Sequence, residues 1–250
     1  MNIFYILEND NSTETNLLSE SNENNKITIL PTLSQSLEIL YCSDVNVFTL
    51  PTLPLSLRIL YCSNTNITAI PTLPQSLEIL YCPNTNITTI PSLPRSLEIL
   101  DCSDTEITFL PVLPFSLKEL YCYNTQITTI PTLPFLLGVL DCSNTKITFL
   151  PTLSQSLKEL RCSNTQLISL PSLPQSLEGL YCKNCKYLYI PKKSRARRFV
   201  EETEYNTNYN YQVLKIQRMY KRFKQRKFQK TLYNNSNLPK DVCYCISKMI

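Results

Sequence analysis

Histidine and tryptophan are absent from this 250-residue chain, and glycine occurs only twice. Without histidine there is no Ser–His–Asp triad, no Cys–His pair, no His-ligated zinc and no imidazole proton shuttle. Two glycines cannot build a P-loop or a dinucleotide-binding fingerprint. Long apolar runs are missing too. The opening residues offer only Ile3 to Leu7 with no basic residue before them, and nothing approaches the roughly 18 apolar residues of a membrane span. The expectation is a soluble, unsecreted, intracellular chain whose 11 cysteines are reduced thiols rather than a disulfide framework. These absences remove most enzyme classes and favour a non-enzymatic binding protein with no cofactor.

What the chain has instead is a period of twenty residues, unbroken from Leu30 to Tyr189. Blocks such as LPTLPLSLRILYCSNTNITA follow the pattern (L/I)PxLxxSLxxLxCxx(T)x(I)xx. Eight copies begin at residues 30, 50, 70, 90, 110, 130, 150 and 170. A decayed half-copy, NNKITIL over Asn24 to Leu30, precedes them and is expected to cap the first. In each block the alternation around Leu60 and Cys62 predicts a short strand with those two side chains facing inward. A turn follows, with Asn or Asp recurring at Asp44, Asn64, Asn84, Asp104, Asn124, Asn144, Asn164 and Asn184. These are the residue types that tolerate a left-handed backbone when glycine is scarce. Pro71-x-Leu73-Pro74 suits neither a helix nor a central strand, so it returns along the outside in extended or polyproline form. One such turn cannot bury its apolar face alone, so neighbours must stack and share a core.

These residues resemble the leucine-rich repeat family. The LxxLxCxxTxI segment is similar to the family's conserved half, with Cys at the last strand position and Thr where Asn is usual. The LPxLPxSL half and the twenty-residue length look like the short class found in bacterial effectors. The resemblance covers 160 of the 250 residues. It implies a leucine-rich-repeat solenoid: a right-handed superhelix with a parallel β-sheet on its concave face and an extended or polyproline convex side. With Thr65 and its equivalents in place of the Asn ladder, a hydroxyl is expected to bond the neighbouring turn's backbone. Little Gly and Ala beside abundant Asn, Ile, Lys and Tyr suggests an AT-rich genome. In this respect the composition is similar to repeat proteins of giant viruses of amoebae, for which the setting would be host cytoplasm or virion.

The expected organisation is an N-terminal segment with the capping half-repeat over 1–29 and eight repeats over 30–190. A basic and polar linker over 191–210 and a basic helical tail over 211–250 follow. Outward positions on the strands form two columns. One holds Tyr41, Tyr61, Tyr81, Asp101, Tyr121, Asp141, Arg161 and Tyr181; the other opens with Ile39, Ile59, Ile79 and Ile99. The first four turns therefore offer an apolar and aromatic stripe of the kind that anchors protein interfaces. Cys42 through Cys182 fall in one inward column as small buried hydrophobes. Cys182, Cys185, Cys243 and Cys245 would suffice for zinc by count, yet Cys182 belongs to that column, so no metal site is assigned.

Composition changes abruptly after Pro191. Residues 1–185 carry 8 basic and 16 acidic side chains, net −8, whereas residues 186–250 carry 16 basic and 4 acidic, net +12. Lys192, Lys193, Arg195, Arg197 and Arg198 form a dense run of the nuclear-import or polyanion-binding type. Tyr211 to Leu232 lacks Pro and Gly and has helical apolar spacing. Within it Ile216, Gln217, Lys221 and Arg226 resemble an IQ motif, a light-chain site of the calmodulin type, with Arg222 where the family usually has Gly. Leu238 to Ile250 looks like the opening of an F-box helix and is too short for a whole one. The expected function is a monomeric protein-binding adaptor in the cytoplasm, using its concave face with the tail as a second contact. The alternatives are a scaffold regulated by a calmodulin-like protein and a nucleic-acid or polyanion binder, the latter compatible with a nuclear location through 191–198.

Overall fold

The computed structural model of the chain describes residues 4–8, 15–17, 30–44 and 46–189, all within the first of two units into which the chain divides, residues 1–205. Strands β1 (Phe4–Glu8) and β2 (Thr15–Leu17) precede eight strands set twenty residues apart. These are β3 (Leu37–Tyr41), β4 (Ile59–Tyr61), β5 (Ile79–Tyr81), β6 (Ile99–Asp101), β7 (Glu119–Tyr121), β8 (Val139–Asp141), β9 (Glu159–Arg161) and β10 (Gly179–Tyr181). All ten belong to one sheet, in the order β10-β9-β8-β7-β6-β5-β4-β3-β1-β2. From β3 to β10 the pairing is parallel and in register, so that Leu40 faces Leu60, Leu60 faces Leu80, and so on. The strand beside β3 is β1, paired antiparallel (Ile6 opposite Leu40), with β2 antiparallel to β1 in turn. Apart from Leu30, the half-repeat expected to cap the solenoid lies outside the described residues.

The interior consists of columns. Leu57, Leu60, Cys62 and Ile67, with their equivalents one turn on, are fully buried, and Ile70 and Leu73 close the section from the proline side. Each turn leaves its strand through a corner residue with φ between 52° and 62°, at the eight expected Asn and Asp positions. That backbone costs an ordinary L-residue roughly 1–2 kcal/mol. The corners also bond each other down the stack: Asn64 donates to Asp44 at 2.7 Å, Asn84 to Asn64 at 2.7 Å and Asn124 to Asp104 at 2.6 Å.

The threonine column behaves differently from expectation. Thr65 donates to the carbonyl of Cys62, three residues back in its own turn, at 2.8 Å, and Thr85, Thr105, Thr125, Thr145 and Thr165 repeat the contact. A hydroxyl on Cβ is shorter than an Asn amide and closes on its own turn, where the longer side chain could span to the next. Bonds between turns on this side come from the backbone and the Asn and Asp corners, and on the proline side from serine. Ser56 Oγ lies 2.8 Å from the Gln35 carbonyl and 2.7 Å from that of Leu37, sharing its proton between them. Ser76, Ser96 and Ser116 make the same pair of contacts to the turn before. At the next position stands Leu136, and the ladder is interrupted.

Along the proline side, exposure recurs every third residue. From residue 109 to 115 the sequence runs exposed, buried, intermediate, then repeats, with Phe109, Val112 and Phe115 outermost. This is the spacing of a three-residue polyproline helix.

The expected basic run (Lys192, Lys193, Arg195, Arg197, Arg198), the linker and the helix with Ile216, Gln217, Lys221, Arg222 and Arg226 lie outside the described residues, as do Cys243 and Cys245. No helix among the described residues is long and apolar enough to cross a membrane.

Candidate protein-binding face

Three-residue strands bury their central leucine and turn the residues on either side away from the core, which makes the outward face of the sheet two columns wide. In-register pairing stacks Ile39, Ile59, Ile79 and Ile99 in one column. Beside it run Tyr41, Tyr61 and Tyr81, half-buried by each other. Ring centroids are 5.7 Å apart for Tyr41 and Tyr61 and 5.5 Å for Tyr61 and Tyr81, with the rings tilted by 47° and 57°. Such tilted pairs are favourable in themselves, and they hold the rings in fixed positions along the stripe. Burial, with a smaller contribution from the Asp101 charge, raises the pKa of the Tyr81 phenol.

From β6 onward the face changes character. Asp101 and Asp141, expected to project outward, are only 5% and 7% exposed. Asp101 folds back over its own turn, where one carboxylate oxygen accepts from the Ser103 amide at 3.0 Å and from its hydroxyl at 2.5 Å. Asp141 accepts from the Ser143 amide at 3.0 Å. A short acidic side chain beside a free amide two residues on forms this local turn in preference to standing in solvent. Burial raises the Asp101 pKa, and the two serine hydrogen bonds offset part of the rise. Tyr121 donates to Glu119 at 2.9 Å, and burial together with that bond pushes its pKa up to about 12. Arg161 is drawn to Glu159 (Nε to Oε1, 2.8 Å), lies 3.8 Å from Asp141 and covers the Tyr181 ring at 5.6 Å from its centroid. The missing side chain at Gly179 leaves the space taken by Tyr181, where a Cβ would approach that ring to 3.1 Å.

Known structures with this arrangement have been solved. The leucine-rich-repeat domain of a Shigella effector matches with a TM-score of 0.50 and 28% identity, covering 53% of this chain and 67% of that one. A leucine-rich-repeat protein from Leptospira interrogans matches with a TM-score of 0.51 and 21% identity, over 70% of this chain and 52% of that one. The fold is a leucine-rich-repeat solenoid. YopM from Yersinia enterocolitica is similar at 30% identity with a TM-score of 0.42, over 65% of this chain and 45% of its own. The chain thus spans about half the length of the Leptospira protein and less than half of YopM. No family model and no curated protein matches the sequence.

In this leucine-rich-repeat solenoid the cysteines are structural. Cys42 donates to the Tyr61 carbonyl one turn on at 3.4 Å, and Cys82 to that of Asp101 at 3.2 Å. Burial pushes the Cys42 and Cys182 thiols up to about 12 and raises those of Cys62, Cys82, Cys102, Cys122 and Cys142 as well. At Cys162 the hydrogen bond with Cys185 leads and burial adds to it; all of these shifts disfavour the thiolate on which nucleophilic chemistry depends. Cys185 departs from this pattern because it stands in the threonine column. Hydrogen bonding with Cys162 opposes its burial and, with Thr165 and the backbone nearby, holds it down to about 6; it is buried, 3.3 Å from the Thr165 hydroxyl. Among the described residues no group of three or more His, Cys, Asp or Glu is placed to hold a metal ion.

Two features escaped the sequence reading. A charged rim precedes the strands, where Arg58 grips Glu78 at 2.9 Å and approaches Glu38 at 3.9 Å, and Lys118 reaches Glu98 at 2.7 Å. Its signal was a period-twenty column of mostly charged residues. The other feature is a set of outward phenylalanines on the proline side, whose signal was a period of three inside the period of twenty.

Proposed function

We propose that this leucine-rich-repeat solenoid is a non-enzymatic scaffold that captures a partner protein on the strand face, chiefly across β3 to β6. One observation carries the reading: Tyr41, Tyr61 and Tyr81 stand as a continuous tilted stack beside an isoleucine column on an otherwise open sheet. Fixed aromatic rings lose little conformational freedom on binding and are the side chains on which interface energy concentrates. Similarity to an effector's repeat domain supports a binding role. Buried thiols and folded-back carboxylates support the absence of catalysis, and the nine cysteines among the described residues, all free, suit a reducing compartment. The tail, with its net charge of +12 over residues 186–250, supplies a second contact.

Replacing Tyr41, Tyr61 and Tyr81 together by Ser is expected to weaken partner capture by at least about a hundredfold, with circular dichroism unchanged. Undiminished capture by the folded triple variant refutes the assignment of the face. A second reading, favoured by the IQ-like spacing from Ile216 to Arg226, makes the tail a site for a calmodulin-like protein. Titrating the full chain with calmodulin, with and without calcium, separates the two: binding lost on Ile216→Ala supports it, and no binding in either state removes it. Capture that falls steeply with salt and is competed by nucleic acid would assign the tail to polyanions instead.

A further inference from the structure

We infer that the proline side of the solenoid is a self-association surface, through which two copies of this chain pair around Phe109, Val112, Phe115, Phe135, Leu136 and Phe149. The inference is independent of the strand face. These six side chains are 53%, 87%, 88%, 67%, 49% and 59% exposed. They lie on adjacent turns: Phe115 and Phe135 occupy the same column one turn apart, while Phe109 and Phe149 share another with Thr129 between them. Together they expose roughly 700 Å² of apolar side chain, taking about 200 Å² per aromatic ring. That exceeds the usual largest patch on a monomer and approaches the roughly 800 Å² that each partner contributes to a standard interface.

Stability does not explain this patch. At Leu136 the serine that at residues 56, 76, 96 and 116 bonds two carbonyls of the preceding turn has been exchanged for a leucine that stays half-exposed. The exchange forfeits hydrogen bonds without burying the new side chain, and it falls beside Phe135. Only a covering surface turns that loss into a gain.

Charge selects the occupant. The stretches 47–57, 67–77 and onward to 167–177 contain a single charged residue, Arg95, whereas the remaining positions between 30 and 189 hold eleven acidic and seven basic side chains. A face without charge meets a copy of itself with no repulsion and little desolvation penalty. The strand side, net negative, would repel its own copy. An anionic bilayer would reward lysine or arginine around the patch, and Arg95 is alone there. Phenylalanines alternating with the smaller Thr129, Thr132 and Thr152 give relief that an isologous pairing can interlock.

Sedimentation velocity on the full chain, from low to high micromolar concentration, tests the inference. A concentration-dependent dimer that persists in high salt is expected, and F115E/F135E should weaken it about a hundredfold with circular dichroism unchanged. Leu136→Ser separates pairing from folding, because it should raise the melting temperature of the monomer while weakening the dimer. A monomer at every concentration, or a dimer indifferent to F115E/F135E and Leu136→Ser, overturns the inference. A monomer that pellets with phosphatidylcholine vesicles through the same phenylalanines overturns it too and gives the face to lipid.

Discussion

The two long sides of the solenoid are held together by different means, and that difference governs which residues are free to vary. On the strand side the register is set by backbone amides and carbonyls, so outward side chains can change without altering it. Ile gives way to Glu at residue 119 and Tyr to Asp at 101 and 141 without disturbing the in-register pairing. On the proline side every turn contains at least one proline, which has no amide to donate, and the serine hydroxyl supplies the missing bond to the turn before. There the prolines, inward leucines and serine recur almost unchanged while the outermost positions vary, and the departures at the recurring positions are informative. Variation on the strand face is permitted by the fold, while variation on the proline face costs something.

Breaking a corner should have the largest effect. Asn124→Ala places an ordinary side chain at φ 53° and removes a donor to Asp104, so it is expected to lower unfolding free energy by about 1–2 kcal/mol in urea melts. Asn124→Gly should lose clearly less, because glycine keeps the backbone unstrained. Equal losses would mean that the side-chain ladder, not the left-handed backbone, matters here. Next comes the proline side. Leu136→Ser restores a hydroxyl within reach of the Phe115 and Leu117 carbonyls and should stabilise the monomer by about 1 kcal/mol; no gain would show that serine does not unite these turns.

The smallest effect belongs to the strand face. Asp101 has a folded pKa above that of a free carboxyl, so the native state holds its proton more tightly. Its contribution to stability is complete at pH below the free-carboxyl value and is lost as pH rises through the folded pKa. Asp101→Asn, which still accepts from Ser103, should therefore be more stable than the parent at neutral pH, and the advantage should vanish in acid. Urea midpoints compared across that range check it, and an advantage that grows in acid would reverse the assignment.

Much of this was legible in the sequence because the repeat removes ambiguity. The period located eight turns, the alternation around Leu60 and Cys62 set the inward columns, and scarce glycine singled out Asn and Asp as the left-handed corners. Three things were not legible. Whether Thr65 bonds its own turn or the next depends on reach across a strand spacing, which residue type alone does not specify. The folding back of Asp101 and Asp141 depends on amides left free two residues later. The phenylalanine patch was hidden because Phe109, Val112 and Phe115 follow the polyproline period rather than the strand's. Nor did the repeat announce that an antiparallel strand, β1, pairs with β3.

That reversal of direction has a consequence for growth. A parallel stack with an open edge is a template, and one solenoid could add to the end of another without limit, as fibres do. Here the edge of β3 is already taken by β1, paired antiparallel, so the strand of an incoming turn cannot lie on β3 in the parallel register of the stack. The place where the stack would have grown by one more parallel turn is thus filled by a strand of another kind, which breaks the twenty-residue repeat at that end.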